Sequence, residues 1–315
     1  MKHNPYLKEL NKTVFDIETT GLSARRDRMV CASFCDPSDG TVLQFFADSP
    51  SDEKELIEKT IRELARCQAV ITYNGASFDL PFLNERAKKY GISTDRLFFW
   101  TIDLYRWIRT YWPAAAALER LNLSSVESAL GLSEKRADLI EGVDCIELYA
   151  RWCREKNAEA KEKILLHNGD DVRQLARIGY RMTALPYHRI AFENGFFING
   201  PCPALIGAVT VKKNRLSAAG KIAPGRLPAA VYEEAYQFSY EPANGNFELT
   251  ILLEEAMQVK YADLKALPVE ETEFTELRGF HDGFLIIEEN TDVLYKEANL
   301  LIRKITEKCC QMLLK

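Results

Sequence analysis

The spacing of apolar residues changes after the first fifty residues, and this change constrains the fold more than any other feature. Three short apolar runs come first, at residues 13–16, 29–34 and 41–47. Helical spacing then alternates with further apolar runs, at 49–67, 69–73, 78–90 and 98–102. This order predicts an α/β domain in which a three-strand meander continues into strand–helix–strand units, with helices on the faces of a mixed sheet.

The sequence changes character again near Pro186. Before it, residues 104–182 have a mainly helical pattern, and the last helix is predicted at 158–182. After it, strands are predicted at 204–211, 215–222, 232–240, 247–253 and 284–288, and a helical stripe follows at 292–314. We therefore predict an α/β domain at 1–185 and a small α+β domain at 186–315, with one antiparallel sheet and one long helix.

Composition limits the classes of partner and compartment. The 315 residues carry a formal net charge of −5, so nucleic acid could be bound only through a local basic surface or through bridging metal ions. The eight cysteines are scattered through apolar segments and form no paired C-x-x-C pattern, which disfavours a zinc ribbon. The amino terminus has no apolar signal region and no stretch is long enough to span a membrane. We expect a reduced, cytoplasmic protein.

The first chemical feature is a pair of carboxylates in the segment FDIETTGL at 15–22. Asp16 and Glu18 are two residues apart on a predicted strand, so their side chains project to the same side. Two adjacent carboxylates repel each other unless a proton or a cation intervenes, and oxygen ligands favour Mg²⁺ or Mn²⁺. The alternative is a pair of solvated acids on an edge strand, which the apolar neighbours Val14, Phe15 and Ile17 disfavour.

Two further motifs carry acids at chemically useful positions. In YNGASFDLPFL, Asp79 opens a helix directly after a strand and a glycine turn; on its own it would be an acid favoured by the helix dipole. In HNGDDVRQLA, His167 and Asp171 are four residues apart and therefore share one helical face. Asp170 is interpreted as a solvated surface acid.

Taken together, the three motifs resemble those of the DEDD 3′–5′ exonuclease superfamily, and most closely the YprB-type RNase H-like family. The resemblance covers about residues 10–182 and implies an RNase H-like fold. It also implies a nuclease that holds two Mg²⁺ or Mn²⁺ ions through Asp16, Glu18, Asp79 and Asp171. Proofreading members carry histidine five residues, or tyrosine four residues, before the last aspartate. Here His167 has the tyrosine spacing, and the resemblance implies that it serves as general base.

The same resemblance implies roles for each group. Asp16 would contact both ions, Glu18 and Asp171 would complete the first site, and Asp79 would hold the second. The product would be a 5′-nucleoside monophosphate, released from single-stranded DNA or RNA. Candidate substrate-binding residues around the acids are Thr19, Thr20, Gly21, Asn74, Arg25 and Arg28.

Several of these residues have ordinary alternatives. Asn74 fits a turn residue as well as a substrate contact, and Asp103 is interpreted as the cap of the following helix. Arg26 extends the first basic group. Two further basic groups could contact phosphate or form solvated surface, namely Arg86, Lys88 and Lys89, and Lys212, Lys213, Arg215 and Lys221.

Other functions remain open at this point. The same metal site would serve a structure-selective endonuclease. A nucleic-acid-binding scaffold could keep the fold without catalysis, although acids at all four positions argue against it. The domain at 186–315 carries no recognisable chemistry, and an unknown protein partner could bind it.

Overall fold

The structure is a computed structural model and describes residues 3–132, 142–223 and 228–314. The chain divides into two compact units, Met1–Leu185 and Pro186–Lys315. None of the described helices combines the length and apolar character needed to cross a membrane.

The first unit is built on one five-stranded sheet. Its strands are β1 (Lys12–Thr19), β2 (Met29–Cys35), β3 (Val42–Phe46), β4 (Ala69–Thr72) and β5 (Trp100–Asp103). Their order in the sheet is β3-β2-β1-β4-β5; the first three strands form an antiparallel meander, and β4 and β5 run parallel to β1. The mixed sheet predicted from the change in spacing is confirmed.

Helices cover both faces of this sheet. They are α1 (Glu53–Leu64), α2 (Asp79–Lys89), α3 (Leu104–Tyr111), α4 (Leu123–Ala129), α5 (Gly142–Glu155) and α6 (Ala158–Arg181). Phe15 and Ile17 of β1 pack with residues of α1 and α2, whereas Cys145 of α5 and Ile164 of α6 pack with β2 on the other face. Because β1 side chains alternate, Asp16 and Glu18 project toward the face covered by α5 and α6.

A buried ion pair ties α1 to α2. The guanidinium of Arg86 donates to the carboxylate of Glu53, and both side chains are fully buried. Glu53 also accepts from the backbone N–H of Met29 and from the hydroxyl of Tyr90. The interpretation of Arg86 as a phosphate contact was therefore wrong, because its guanidinium is buried and pairs with Glu53.

The second unit contains more sheet than the sequence predicted. One sheet has six strands, which in chain order are β6 (Phe196–Ile198), β7 (Ala204–Lys212), β8 (Arg215–Ile222), β9 (Ala229–Tyr232), β10 (Tyr236–Glu241) and β11 (Asn246–Leu252). The other comprises β12 (Glu254–Ala256), β13 (Val259–Asp263), β14 (Phe280–His281), β15 (Phe284–Glu289) and β16 (Asp292–Val293). In the described part of this unit the α-helices are α7 (Tyr187–Asn194) and α8 (Tyr295–Met312).

Three sequence expectations for this unit were wrong. A single sheet was expected, but the described residues of this unit form two. The strand predicted at 232–240 corresponds mainly to β10; only Tyr232 belongs to β9, a separate strand that was not predicted and that pairs antiparallel with β10. The last helix begins at Tyr295 rather than at 292, because Asp292 and Val293 pair with β15. The helix α7 was not predicted.

Candidate active site

The first two acids lie at the carboxyl end of the central strand. In the antiparallel register with β2, Asp16 lies opposite Ser33 and Glu18 opposite Cys31. The register shifts between Glu18 and Thr19, where the regular ladder ends. Glu18 is 8% exposed, so the interpretation as solvated edge acids does not hold for it. The strand presents two carboxylates to one side from an interior position in the sheet.

Asp79 reaches the same place from the start of α2. Its Oδ1 accepts a hydrogen bond of 3.1 Å from the backbone N–H of Ile17, the residue between the two acids of β1. The carboxylate is buried. Burial raises the pKa of Asp79 to about 7, the charge of Asp103 adds to the rise, and backbone hydrogen bonds from Asp79 itself and Ile17 oppose it.

The third motif places two groups on one face of α6. Nε2 of His167 lies 3.7 Å from Oε1 of Glu18 and 3.6 Å from Oδ2 of Asp171. Carboxylate oxygens of Asp16, Glu18 and Asp171 all lie within 4.8 Å of one another. Three motifs distant in sequence therefore meet at one point, and the structure brings together all five predicted catalytic residues.

The electrostatics of the site are those of crowded, buried acids. Burial raises the pKa of Asp16 well above its usual value, and the charges of Asp79, Asp171 and Glu18 raise it further. Burial also raises the pKa of Glu18 to about 8; the neighbouring His167 lowers it and Asp171 raises it. Without a compensating charge, the ionised forms of these groups are disfavoured.

This donor set fits divalent cations. All the closely grouped acids offer hard oxygen ligands, and a bound cation would remove the repulsion that raises their pKa values. The sites would involve Asp16, Glu18 and Asp171, with Asp79 directly beside β1. These oxygen donors therefore fit the Mg²⁺ or Mn²⁺ ions that the sequence resemblance implied.

The sequence interpretation missed an amide that positions Asp16. Nδ2 of Asn168 donates a hydrogen bond of 2.6 Å to Oδ2 of Asp16. The amide is itself held, because Ser33 Oγ donates to its Oδ1 at 2.5 Å and Gln44 Nε2 donates to Ser33 Oγ at 2.8 Å. Asn168 is fully buried. The signal in the sequence was a polar residue on the helical face that packs on the sheet.

The turn after β4 is held by Asp103, which the sequence predicted to cap α3 instead. Asp103 occupies the position before α3, yet its side chain does not cap that helix. Its carboxylate accepts instead from the backbone N–H groups of Asn74 and Ala76, at 2.9 and 3.3 Å. Asn74 has a φ of 63°, a conformation that asparagine tolerates better than most residues. Asn74 is thus a turn residue that also borders the site.

The loop after β1 is stabilised by hydrogen bonds between its own residues. Thr19 Oγ1 donates to the carbonyl of Gly21, and Thr20 Oγ1 accepts from the backbone N–H of Arg28. A Cβ at Gly21 would lie 2.5 Å from Asp27 Oδ2, so any other residue would displace the carboxylate of Asp27. Arg28 donates to the carbonyl of Pro50.

The acids open into a cleft of about 620 Å³. Besides the five predicted catalytic residues and Asn74, it is lined by Ile17, Tyr73, Phe78, Arg120, Asn122, Leu123, Ser124 and Gly142. The predicted substrate contacts Thr19, Thr20, Gly21, Arg25 and Arg28 are outside this set. Among the described lining residues, Arg120 supplies the positive charge, and no motif in the sequence had indicated it. Asp170, expected to be solvated, is 6% exposed and lies 3.3 Å from Arg173.

Comparison with known proteins identifies the family of the first unit. A sequence model of the RNase H superfamily matches residues 13–183, which span the whole sheet, the cleft and all three acidic motifs. The chain belongs to the RNase H superfamily. The predicted RNase H-like fold is therefore confirmed, and the acids of the cleft occupy the matched region of that superfamily domain.

Curated relatives of this RNase H superfamily chain share only a segment with it. A DNA polymerase of Methanocaldococcus jannaschii is 36% identical over 96 residues, which cover 27% of this chain and 6% of that protein. DNA polymerases of Thermococcus litoralis and Pyrococcus glycovorans are 31% and 32% identical over similar segments, covering 6% and 12% of their lengths. The chain thus spans a small part of the relatives it matches.

Among solved structures, the family B DNA polymerase of Pyrobaculum calidifontis is similar to this chain. The similarity has a TM-score of 0.45 and 22% sequence identity, and it covers 58% of this chain and 27% of the polymerase.

Proposed function

We propose that this member of the RNase H superfamily is a metal-dependent nuclease, a 3′–5′ exonuclease of the DEDD and YprB type. Its substrate would be single-stranded nucleic acid and its products 5′-monophosphates. One observation carries the proposal: oxygens of Asp16, Glu18 and Asp171 converge within 4.8 Å at the base of an open cleft. The matched relatives are named DNA polymerases, which supports a nucleic-acid substrate. We also propose that the protein is located in the cytoplasm.

In this function the acids would hold two Mg²⁺ or Mn²⁺ ions. Asp16 would contact both, Glu18 and Asp171 would complete one site, and Asp79 the other. When bound, such ions supply an activated water nucleophile and stabilise the oxygen that leaves. Burial of the acids favours this role, because their charges are poorly compensated by solvent.

In this function His167 would accept a proton at Nε2. The imidazole lies between Glu18 and Asp171, at 3.7 and 3.6 Å, and it is 5% exposed. Two flanking carboxylates would stabilise the imidazolium that forms when the attacking water loses its proton. Asn168 acts through Asp16 and is a positioning residue, because its amide fixes one carboxylate oxygen.

Binding the phosphates of a nucleic-acid strand requires a positively charged surface on the protein. Because the chain has a net negative charge, this surface must be local. Arg120 lines the cleft. A second groove, of about 610 Å³, is lined by Arg173, Arg177 and Arg181 together with the half-exposed Tyr180. The three arginines repeat every four residues along α6, the helix that also carries Asp171, and so lie on one side of it. We assign this basic groove to the phosphates of the bound strand.

Digestion of 5′-labelled single-stranded DNA and RNA in Mn²⁺ tests the proposal. The native chain is expected to shorten a strand progressively from its 3′ end, and Asp171→Asn should abolish the shortening. Glu159→Gln is the control, since it removes an exposed carboxylate from the same helix, where it pairs with Lys163 and does not line the cleft.

The other outcomes discriminate between the alternatives. Internal cuts in a structured substrate, lost in Asp171→Asn, would replace the exonuclease by an endonuclease. Binding of Mn²⁺ without cleavage of any strand would favour a nucleic-acid-binding scaffold. Equal activity of the native chain and Asp171→Asn would show that the cleft is not the active site.

A further inference from the structure

A cysteine adjoins the acidic cluster, and the proposed nuclease chemistry does not use it. Cys145 lies in the first turns of α5 and is 1% exposed. Its thiol is hydrogen-bonded to the carboxylate of Glu18. Donor atoms of Glu18, Cys145 and His167 all lie within 4.8 Å of one another, and all three residues are buried. Sulfur, nitrogen and oxygen ligands therefore converge on one point.

The nitrogen and oxygen donors are spaced nearly as in a zinc site, and the sulfur of Cys145 lies within 4.8 Å of the donors of Glu18 and His167. Two ligand atoms about 2.0–2.1 Å from a tetrahedral zinc ion are roughly 3.4 Å apart. Nε2 of His167 lies 3.7 Å from Oε1 of Glu18 and 3.6 Å from Oδ2 of Asp171. Small side-chain adjustments would bring these nitrogen and oxygen atoms to the required separation. Asp171 is grouped with Glu18 and not with Cys145, so its carboxylate would have to turn toward the sulfur to act as a fourth ligand.

We propose that Glu18, Cys145 and His167, together with Asp171, form a zinc site that overlaps the site of the catalytic ions. Zinc selects this set because thiolate and imidazole are good ligands for it, whereas Mg²⁺ prefers oxygen alone. Binding exchanges the S–H bond of Cys145 for a sulfur–zinc bond and releases the proton to solvent, with no change of oxidation state. The imidazole binds in its neutral form.

This site has a consequence that rests on the proposed function. Zinc bound there would occupy Glu18, Asp171 and the proton acceptor His167 at the same time, so it would inhibit the nuclease even with Mg²⁺ present. The alternative is that Cys145 serves only as a small apolar residue, packed with Val30, Cys31 and Tyr149. Both roles place the thiol in the same position, and only metal binding separates them.

Cobalt spectroscopy tests the site without reference to activity. Co²⁺ replaces zinc and gives an intense near-ultraviolet absorption only when a thiolate is among its ligands. The native chain is expected to show this band at one equivalent of Co²⁺, and Zn²⁺ should abolish it by displacement. Cys145→Ser should lose the band and bind Zn²⁺ about tenfold more weakly or worse.

Matched variants make the result specific. Cys153→Ser removes a half-buried cysteine from the same helix and should keep the band. If Cys145→Ser does not fold, as judged by circular dichroism, Cys145→Ala replaces it. A band that persists without Cys145, or no band in the native chain, would overturn the proposal.

The activity measurement separates this proposal from the proposed function. Inhibition by Zn²⁺ is measured for each variant relative to its own rate in Mg²⁺, and it should require about tenfold more Zn²⁺ in Cys145→Ser than in Cys153→Ser. Equal inhibition of the two variants would refute the site. If the native chain cuts no nucleic acid, the cobalt band still decides whether zinc binds, and only the inhibitory consequence falls away.

Discussion

Asn168 donates a 2.6 Å hydrogen bond to Asp16, joining the third acidic motif to the first across 152 residues of sequence. Its amide can adopt only one orientation here, since its oxygen already accepts from Ser33. Asp16 therefore has one oxygen fixed by the amide, while its carboxylate remains grouped with those of Glu18 and Asp171. The geometry of the first acid depends on a residue that is not itself a metal ligand.

Asn168→Asp is expected to weaken metal binding. The change keeps the shape of the side chain, removes the N–H donor and adds a fifth carboxyl group to a repelling cluster. The concentration of Mg²⁺ or Mn²⁺ giving half-maximal rate should rise about 10–100-fold, with a smaller change in the rate at saturating metal. Asn157→Asp is the control, because it makes the same change at the cap of α6, where aspartate serves as well as asparagine. Equal metal requirements for the two variants would contradict the role of Asn168.

The pH dependence of stability follows from the raised pKa of Glu18. In the unfolded chain this group loses its proton near its ordinary value of 4.5, whereas the folded protein keeps it up to about 8. Between these values the folded state holds more protons, so the free energy of unfolding of the metal-free protein falls as pH rises. Asp79, with a pKa raised from 3.8 to about 7, acts in the same direction.

Urea unfolding in EDTA at about pH 5 and pH 8 checks this dependence. Glu18→Gln cannot ionise at this position, so its free energy of unfolding should rise relative to that of the native chain as pH rises. Adding Mg²⁺ should stabilise the native chain more than it stabilises Glu18→Gln. A stability difference of about 1 kcal/mol corresponds to roughly 2–4 °C in Tm for a domain of this size. A constant difference between the two proteins at both pH values would show that Glu18 titrates normally.

Removing one partner of the buried ion pair Glu53–Arg86 is expected to destabilise the fold strongly, because the other charge would stay buried without its partner. Arg86→Met would leave a fully buried carboxylate beside Met29 and Tyr90 without its cation. We expect a loss of about 3–5 kcal/mol in the free energy of unfolding, measured by urea denaturation. Lys88→Met removes the cation of the exposed Glu85 pair on the same helix, and its effect should stay within about 1 kcal/mol. Comparable losses in both variants would contradict the burial argument.

The basic groove on α6 should appear in the salt dependence of binding. Replacing Arg173, Arg177 and Arg181 by glutamine should weaken binding of a fluorescent single strand. The slope of log affinity against log salt should become shallower by about 0.7 for each phosphate that the variant no longer neutralises. The control variant replaces Lys54, Lys59 and Arg62 of α1, which removes the same charge elsewhere. Binding in Ca²⁺ measured by anisotropy gives both slopes, and identical slopes would exclude the groove.

Local patterns were enough to predict much of the site. Asp16 and Glu18 share a face because strand side chains alternate, and His167 and Asp171 share one because of helical spacing. Asn168 could not be singled out in this way, because its partners Ser33 and Asp16 belong to two different strands and meet it only in the folded chain. Asp103 was likewise misassigned, since its contacts with the turn at Asn74 depend on the pairing of β4 and β5.

The second unit shows where spacing stops being informative. Strands β10 and β11 alternate buried and exposed residues and were recognised from that alternation. Strand β12 is exposed at all three positions, and β14 and β16 have two residues each. Such short segments contain no period, and their pairing is set by tertiary contacts. The number of sheets therefore could not be predicted from the sequence.

The four carboxylates Asp16, Glu18, Asp79 and Asp171 are proposed to hold two divalent ions together, and anomalous scattering from Mn²⁺ measures this directly. A crystal of the native chain grown with Mn²⁺ and a nucleoside 5′-monophosphate is expected to show two anomalous peaks, about 3.5–4 Å apart. One peak should contact Glu18 and Asp171, and the other Asp79. Their absence from this cleft, or their survival in Asp16→Asn, would contradict the two-metal site.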